Sequence, residues 1–185
     1  MKGEIILKRG FYFARNVENL EKRAFPEAQL PLFSTRNSIC ADFFCAEKVV
    51  VPSIVKQVVT ALSENTNLTF EEAMKDKNLK PTKVHTGIKA SMGDDEGLFT
   101  FNRSSLPKKG LVLANSVGVI DPDYFECAET DGEICFFYFN FSAEDVILNV
   151  GDKIGQGTFM KFYHPEEGLR IADVERQGGI GSTGL

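Results

Sequence analysis

A chain of 185 residues with 43% apolar side chains can bury one sizeable core without disulfide or metal staples, and its length fits a single domain. A net charge of −5, with no run of Lys or Arg, excludes a nucleic-acid backbone or an anionic membrane as the main partner, while leaving room for a locally basic site for a small anion. Four cysteines without a Cys-x-x-Cys pair and only two histidines argue against a zinc site and for reduced core thiols, so the expected location is the cytoplasm.

The first residues, Met1 to Lys8, have too short an apolar stretch for a signal peptide, and no run reaches membrane-spanning length. Residues 4–7 read as a strand, 16–27 as a polar loop with a short helical turn, and 41–51 as a longer strand. After Ser53, a good N-cap, the apolar residues Ile54, Val55, Val58, Val59 and Leu62 recur at helical spacing, predicting a helix over 54–63. Thr69-Phe70-Glu71-Glu72 is a capping-box pattern that opens a second short helix ending before Pro81. The two form a helical insertion, about 53–81, that either covers an open sheet edge or offers a surface to a protein partner. Further strands are expected at 97–102, 111–114, 133–141, 145–148 and 157–163. The pattern is all-β and mainly antiparallel, and sixteen phenylalanines without a tryptophan suit stacked β faces.

Four segments carry groups with chemistry. Arg103-Ser104-Ser105 presents a guanidinium and two hydroxyls just past a strand, which is either a phosphate clamp or a surface arginine beside a turn. In Gly118-Val119-Ile120-Asp121-Pro122-Asp123-Tyr124, Pro122 biases Asp121 towards an extended backbone, so its carboxylate either projects as a general base or belongs to an ordinary turn. Gly151-Asp152-Lys153-Ile154-Gly155-Gln156 is a tight turn feeding a strand, with amide donors on Gln156. The last segment, Arg176-Gln177-Gly178-Gly179-Ile180-Gly181-Ser182-Thr183-Gly184-Leu185, is either a frayed end or a loop whose backbone N–H groups and hydroxyls close over phosphates.

In their order along the chain these segments resemble the trimeric dUTP pyrophosphatase (dUTPase) family, over about 30–185. Ser38-Ile39-Cys40-Ala41-Asp42-Phe43-Phe44-Cys45-Ala46 is similar to the family's first motif, Ser-Ala-Gly-Tyr-Asp-Leu-Tyr-Ser-Ala, and Thr86-Gly87-Ile88 to the segment before its second. Arg103 to Leu106 matches Arg-Ser-Gly/Ser-Leu, and Gly118 to Tyr124 matches Gly-Val-Ile-Asp-x-Asp-Tyr. Gly151 to Gln156 resembles Gly-Asp-Arg-Ile-Ala-Gln, and the C-terminal run resembles Arg-x-x-Gly-Gly-Phe-Gly-Ser-Thr-Gly.

The resemblance implies a distorted β-barrel or jelly-roll that assembles as a homotrimer with shared active sites. It comprises one β domain over 1–172 and a mobile glycine-rich lid over 173–185. It implies hydrolysis of dUTP to dUMP and pyrophosphate by in-line attack of water on the α-phosphorus, with Asp121 as general base. Mg²⁺ would bridge the phosphates, with Asp42 holding one of its waters. Arg103, Ser104, Ser105, Asn115, Gly118, Tyr124, Gln156, Arg176, Ile180, Ser182 and Thr183 would bind substrate, Tyr124 by stacking under the deoxyribose. The dCTP deaminase branch of the superfamily places a catalytic glutamate where this chain has Phe137. That leaves a deaminase or related triphosphate hydrolase, or a regulatory protein using the insertion, as the alternatives. Relative to the family, Lys153 replaces arginine, Ile180 replaces phenylalanine, one residue fewer precedes Gly178, and extra residues lengthen the base-reading hairpin after Tyr124.

Overall fold

The computed structural model describes residues 8–75 and 79–168. Thirteen strands and two helices follow one another. They are β1 (Gly10–Phe13), β2 (Arg15–Asn16), β3 (Asn19–Arg23), β4 (Ala41–Phe44), β5 (Val49–Val51), α1 (Ile54–Glu64), α2 (Phe70–Met74), β6 (Thr82–His85) and β7 (Ile88–Ser91). Then come β8 (Glu96–Phe101), β9 (Leu111–Leu113), β10 (Val117–Ile120), β11 (Cys135–Asn140), β12 (Val146–Leu148) and β13 (Lys153–Lys161).

The expected all-β, antiparallel architecture is present. The largest sheet has the order β10-β8-β13-β4 and a second has β6-β11-β9, while β1-β7, β12-β5 and β2-β3 form two-stranded ladders. Among the described residues the five sheets do not close into one continuous barrel. Side chains alternate along β11, where Phe136, Tyr138 and Asn140 are buried and the residues between them only partly so. Phe136 meets Phe43 with ring centroids 5.6 Å apart, and Phe43 takes the edge of Phe11 at 5.3 Å. Around these rings pack Ile88, Leu98, Leu111, Ile134 and Ile154, each less than 2% exposed, and the buried Tyr138 hydroxyl donates to the Ile154 carbonyl.

Both helices start where their caps predict. Ser53 Oγ accepts from Lys56 N at 2.9 Å, and Thr69 and Glu72 close a reciprocal capping box. Ile54 and Val58 of α1 pack with Ala73 of α2 and Phe139 of β11, so the insertion covers one side of the β6-β11-β9 sheet. Val55, Val59, Phe70 and Met74 lie on its exposed side.

Some local expectations change. Residues 16–27 carry no helical turn; Asn16 and Asn19 bracket a hairpin, with the Asn16 side chain accepting from Glu18 and Asn19 N–H groups. The 41–51 strand is two strands, because the chain turns between Phe44 and Val49 and β5 pairs with β12 rather than with the main sheet. The last long strand begins at Lys153, which places Gln156 inside it. The strand expected at 4–7 and the glycine-rich run at 173–185 lie outside the described residues.

Candidate active site

The β13 register brings three of the singled-out segments together. Gln156 pairs with Asp42 of β4 on one side and with Phe101 of β8 on the other, two residues before Arg103. Arg103 Nε donates to Asp42 Oδ1 at 2.8 Å, while Lys153 Nζ and Ser34 Oγ donate to Oδ2 at 2.8 and 2.6 Å. Gln156 Nε2 donates to the Asn102 carbonyl at 3.0 Å. Burial raises the Asp42 pKa, but the hydrogen bonds from Lys153 and Ser34 and the Arg103 and Lys153 charges outweigh it, leaving the carboxylate below its ordinary range. With Nε committed to Asp42, the terminal nitrogens of Arg103 remain as a fork for an anion. Ser104 and Ser105 are exposed beside it.

Asp121 lies elsewhere. Its strand, β10, pairs antiparallel with β8 so that Val117 faces Phe101 and Ile120 faces Leu98. Asp121 therefore emerges at the end of β8 opposite to Arg103, level with Gly97 and on the order of 20 Å away at about 3.3 Å per strand residue. Its backbone is extended, φ −83° and ψ 156°, as Pro122 dictates, and the side chain is exposed. Asn115 is exposed in the turn before β10. Gly118 is buried, and a Cβ there would stand 2.2 Å from Thr100 Oγ1.

Tyr124 closes a short 3₁₀ turn over Pro122–Tyr124 and is buried, only 8% exposed. Its hydroxyl donates to the Glu133 carbonyl at 2.8 Å and accepts from Thr130 Oγ1 at 3.0 Å. Burial, only partly offset by the Thr130 bond, pushes its pKa up to about 12, so the ring is held as a neutral phenol. The longer segment after it needs three left-handed residues, Glu126 (φ 62°), Asp131 (φ 51°) and Gly132 (φ 78°). At Gly132 a Cβ would meet the Tyr124 carbonyl at 2.7 Å. Asp131 fixes this loop, accepting from the Arg15 backbone N–H at 2.6 Å and from Arg15 Nη2 at 2.9 Å, and pairing with buried Lys89 at 2.9 Å. Lys89 also lies 4.3 Å over the Phe125 ring.

Sequence reasoning named Asp42, Arg103 and Gln156 but missed Ser34 and Arg15, which sit in no motif. Lys89, directly after Thr86-Gly87-Ile88, was the one residue with a visible signal. Arg176, Ile180, Ser182 and Thr183 lie outside the described residues.

A magnesium ion suits oxygen donors and retained waters. The Arg103 row supplies such acceptors. Asp42 Oδ1 takes only one of the three hydrogen bonds to its carboxylate, and Asn102 Oδ1 is, among the described residues, the one buried side-chain polar atom without a hydrogen-bond partner. These groups fit a hydrated Mg²⁺ held through water. No helix is long and apolar enough to cross a membrane among the described residues.

The chain is similar to known dUTPases in sequence and in fold. The dUTPase family model matches residues 48–184. The deoxyuridine 5'-triphosphate nucleotidohydrolase of Lactococcus lactis subsp. lactis is 44% identical over 102 residues, covering 55% of this chain and 68% of the relative. The enzyme of the same name from Hydrogenobaculum sp. is 29% identical over 170 residues, 90% of this chain and 97% of the relative. The crystal structure of dUTPase from Streptococcus mutans superposes with a TM-score of 0.63 at 29% identity, over 85% of this chain and 99% of that one. The dUTPase of phage phi11 of S. aureus, which coordinates a structural Mg(II) ion, shares the fold with a TM-score of 0.55 at 17% identity, over 83% of this chain and 95% of that one.

Proposed function

The chain belongs to the dUTPase family and hydrolyses dUTP, and we propose that it does so in sites shared between the subunits of a homotrimer. The observation that carries the shared site is the β8–β10 register, which separates Asp121 from the Arg103 row within one chain. A general base must be within hydrogen-bond reach of the attacking water, itself in line with the phosphorus that the cationic row holds. One chain offers those groups at opposite ends of a strand, and a neighbouring subunit brings them together.

In this reading Asp121 takes a proton from water as the water oxygen bonds to the α-phosphorus. The bond from that phosphorus to the bridging oxygen breaks, releasing dUMP and pyrophosphate. The Arg103 fork, Ser104, Ser105 and Gln156 donate to phosphate oxygens, and Asn115 and Gly118 line the approach of the nucleotide. When bound, Mg²⁺ supplies charge neutralisation on the triphosphate. Asp42 keeps Arg103 oriented, and its carboxylate would hold the ion through one of its waters. The Tyr124 ring stacks under the deoxyribose, leaving no room for a 2′-hydroxyl. Arg176, Ile180, Ser182 and Thr183 of the C-terminal run complete the enclosure as a lid over the triphosphate and base. The helical insertion acts in the first instance as a cover for β11, which is what its buried side does in the chain.

The test is a substrate panel read by product chromatography with Mg²⁺ present. The expected outcome is dUMP and pyrophosphate from dUTP, far faster than any product from dCTP, dTTP or UTP. Comparable turnover of dCTP, or a uracil nucleotide appearing from it, overturns the reading.

A further inference from the structure

Behind the Tyr124 loop, His85, Glu133 and Cys135 bring one nitrogen, one oxygen and one sulfur to within 4.8 Å of one another. The β6–β11 register explains the meeting. His85 faces Cys135 directly across the ladder, and Glu133 precedes Cys135 by two residues and so lies on the same side. His85 Nδ1 is 3.7 Å from Cys135 Sγ and 2.9 Å from Glu133 Oε2. Ligands at the usual Zn–S and Zn–N distances around a tetrahedral ion stand about 3.3–3.6 Å apart; the Nδ1–Sγ pair is close to that spacing, and the carboxylate, now hydrogen-bonded to Nδ1, would draw back slightly to admit an ion.

The surroundings are those of a supported metal site. Glu133 Oε1 accepts the Gly87 N–H at 2.9 Å, which fixes the carboxylate with both oxygens near His85 Nδ1, Oε1 at 3.1 Å and Oε2 at 2.9 Å. The Phe25 ring packs on the imidazole with centroids 4.8 Å apart, holding its plane. Glu47 lies 3.9 Å from His85 Nε2, one small side-chain adjustment from accepting its proton, as carboxylates do behind metal-bound histidines. The His85 side chain is 23% exposed, which gives an ion access from solvent, while burial and the neighbouring Glu133 push the Cys135 thiol pKa up, so a metal must draw off its proton on binding. Lys83, whose side chain hydrogen-bonds Cys135, is exposed and can turn into solvent to make way for an ion.

We infer that His85, Glu133 and Cys135 form a binding site for a zinc-class divalent ion, with water in the fourth position. The mixed nitrogen, sulfur and oxygen set selects such an ion over magnesium, which avoids thiolate. As the sulfur–metal bond forms, the Cys135 thiol releases its proton to solvent. The site joins β6 to the start of β11, and Tyr124 bonds to the carbonyl of one of its ligands, Glu133, so a bound ion would clamp the segment that follows the substrate loop.

The test is titration of the chelator-treated full-length protein with Co²⁺ alone, followed by displacement with Zn²⁺. The wild type is expected to take up one equivalent with the absorption of a thiolate–cobalt bond, and Zn²⁺ to abolish that absorption. Cys135→Ser should lose the band, and Cys40→Ser should keep it. Glu47→Gln should keep the band but bind about tenfold more weakly. Melting curves and dUTP turnover of Cys135→Ser establish that it remains folded. A wild type without the band, a band that survives Cys135→Ser, or one indifferent to His85→Gln overturns the assignment.

Discussion

Arg103 donates through Nε to Oδ1 of Asp42 at 2.8 Å, and this bond sets the direction in which the rest of the guanidinium points. Asp42 is itself held by Lys153 and Ser34, so the orientation is fixed before any anion arrives. Asp42→Ala leaves Arg103 charged but unaimed. A hydrogen bond to a charged group contributes about 1.5–3 kcal/mol, so kcat/KM for dUTP should fall about 10–100-fold. Arg103→Lys should lose a comparable amount, because one ammonium cannot both reach Asp42 and present a two-pronged donor. Steady-state kinetics on both variants measures this, and wild-type kinetics for Asp42→Ala would remove Asp42 from the positioning of Arg103.

The separation of Asp121 from Arg103 predicts complementation between inactive variants. Asp121→Asn should bind dUTP but not turn it over, and Arg103→Ala should turn over little because it holds the triphosphate poorly. When the two are unfolded together and refolded, some assemblies carry an intact Asp121 from one subunit facing an intact Arg103 from another. Turnover should then rise well above the sum of the separate variants. No recovery in a mixture shown to contain hetero-oligomers would mean that each chain builds its own site.

The segments with chemically distinctive groups stand out in the sequence because each pairs them with a turn residue, as in Arg103-Ser104-Ser105 and Asp121-Pro122. The helices were readable for a similar reason, since Ser53 and Thr69 cap regular apolar spacing. What stayed hidden depends on contacts distant along the chain. Ser34 reaches Lys153 and Asp42, Arg15 reaches Asp131 across 116 positions, and His85 meets Cys135 only through strand pairing. The short strands β6 and β7 carry no alternating pattern, because β7 is buried along its whole length, Lys89 included. The His85, Glu133 and Cys135 cluster likewise has no close Cys and His spacing along the chain, since it joins β6 to the start of β11 and the residue two before it.

Gly155 stands where the family's fourth motif has alanine, and the structure gives a reason. A Cβ at Gly155 would fall 2.0 Å from Phe136 Cε1, so the phenylalanine ring occupies the space that a methyl group would need. Phe136 is 2% exposed and packed against Phe43 and Tyr138, so it has little freedom to withdraw. Gly155→Ala should therefore destabilise the fold by about 1–3 kcal/mol, the range for overpacking a well-filled core. Adding Phe136→Leu should recover part of the loss, and thermal denaturation of the two single variants and the double variant reads the coupling. Strictly additive effects would show that the ring and the glycine are not exchanging the same space.

Acid should loosen the loop after Tyr124 through Asp131. Burial alone would raise its pKa, but hydrogen bonds from Arg15 and Lys89 outweigh burial and hold it below the ordinary carboxylate value. A folded-state pKa below the unfolded one contributes stability that is fully present above the unfolded value, about 3.9, and is lost as the pH falls through the folded value. Asp42 is shifted in the same direction and adds to the same loss. Stability should therefore change little on this account between pH 5 and 7, on the order of the ordinary titration range, and fall below about pH 4. Asp131→Asn should lower stability at neutral pH, because it leaves buried Lys89 with the half-exposed Glu126 carboxylate, 3.3 Å away, in place of its buried Asp131 pair. It should also flatten the acid limb of the curve. Urea denaturation of both proteins across that range decides the matter, and parallel curves for variant and wild type would mean that Asp131 is not a source of the acid sensitivity.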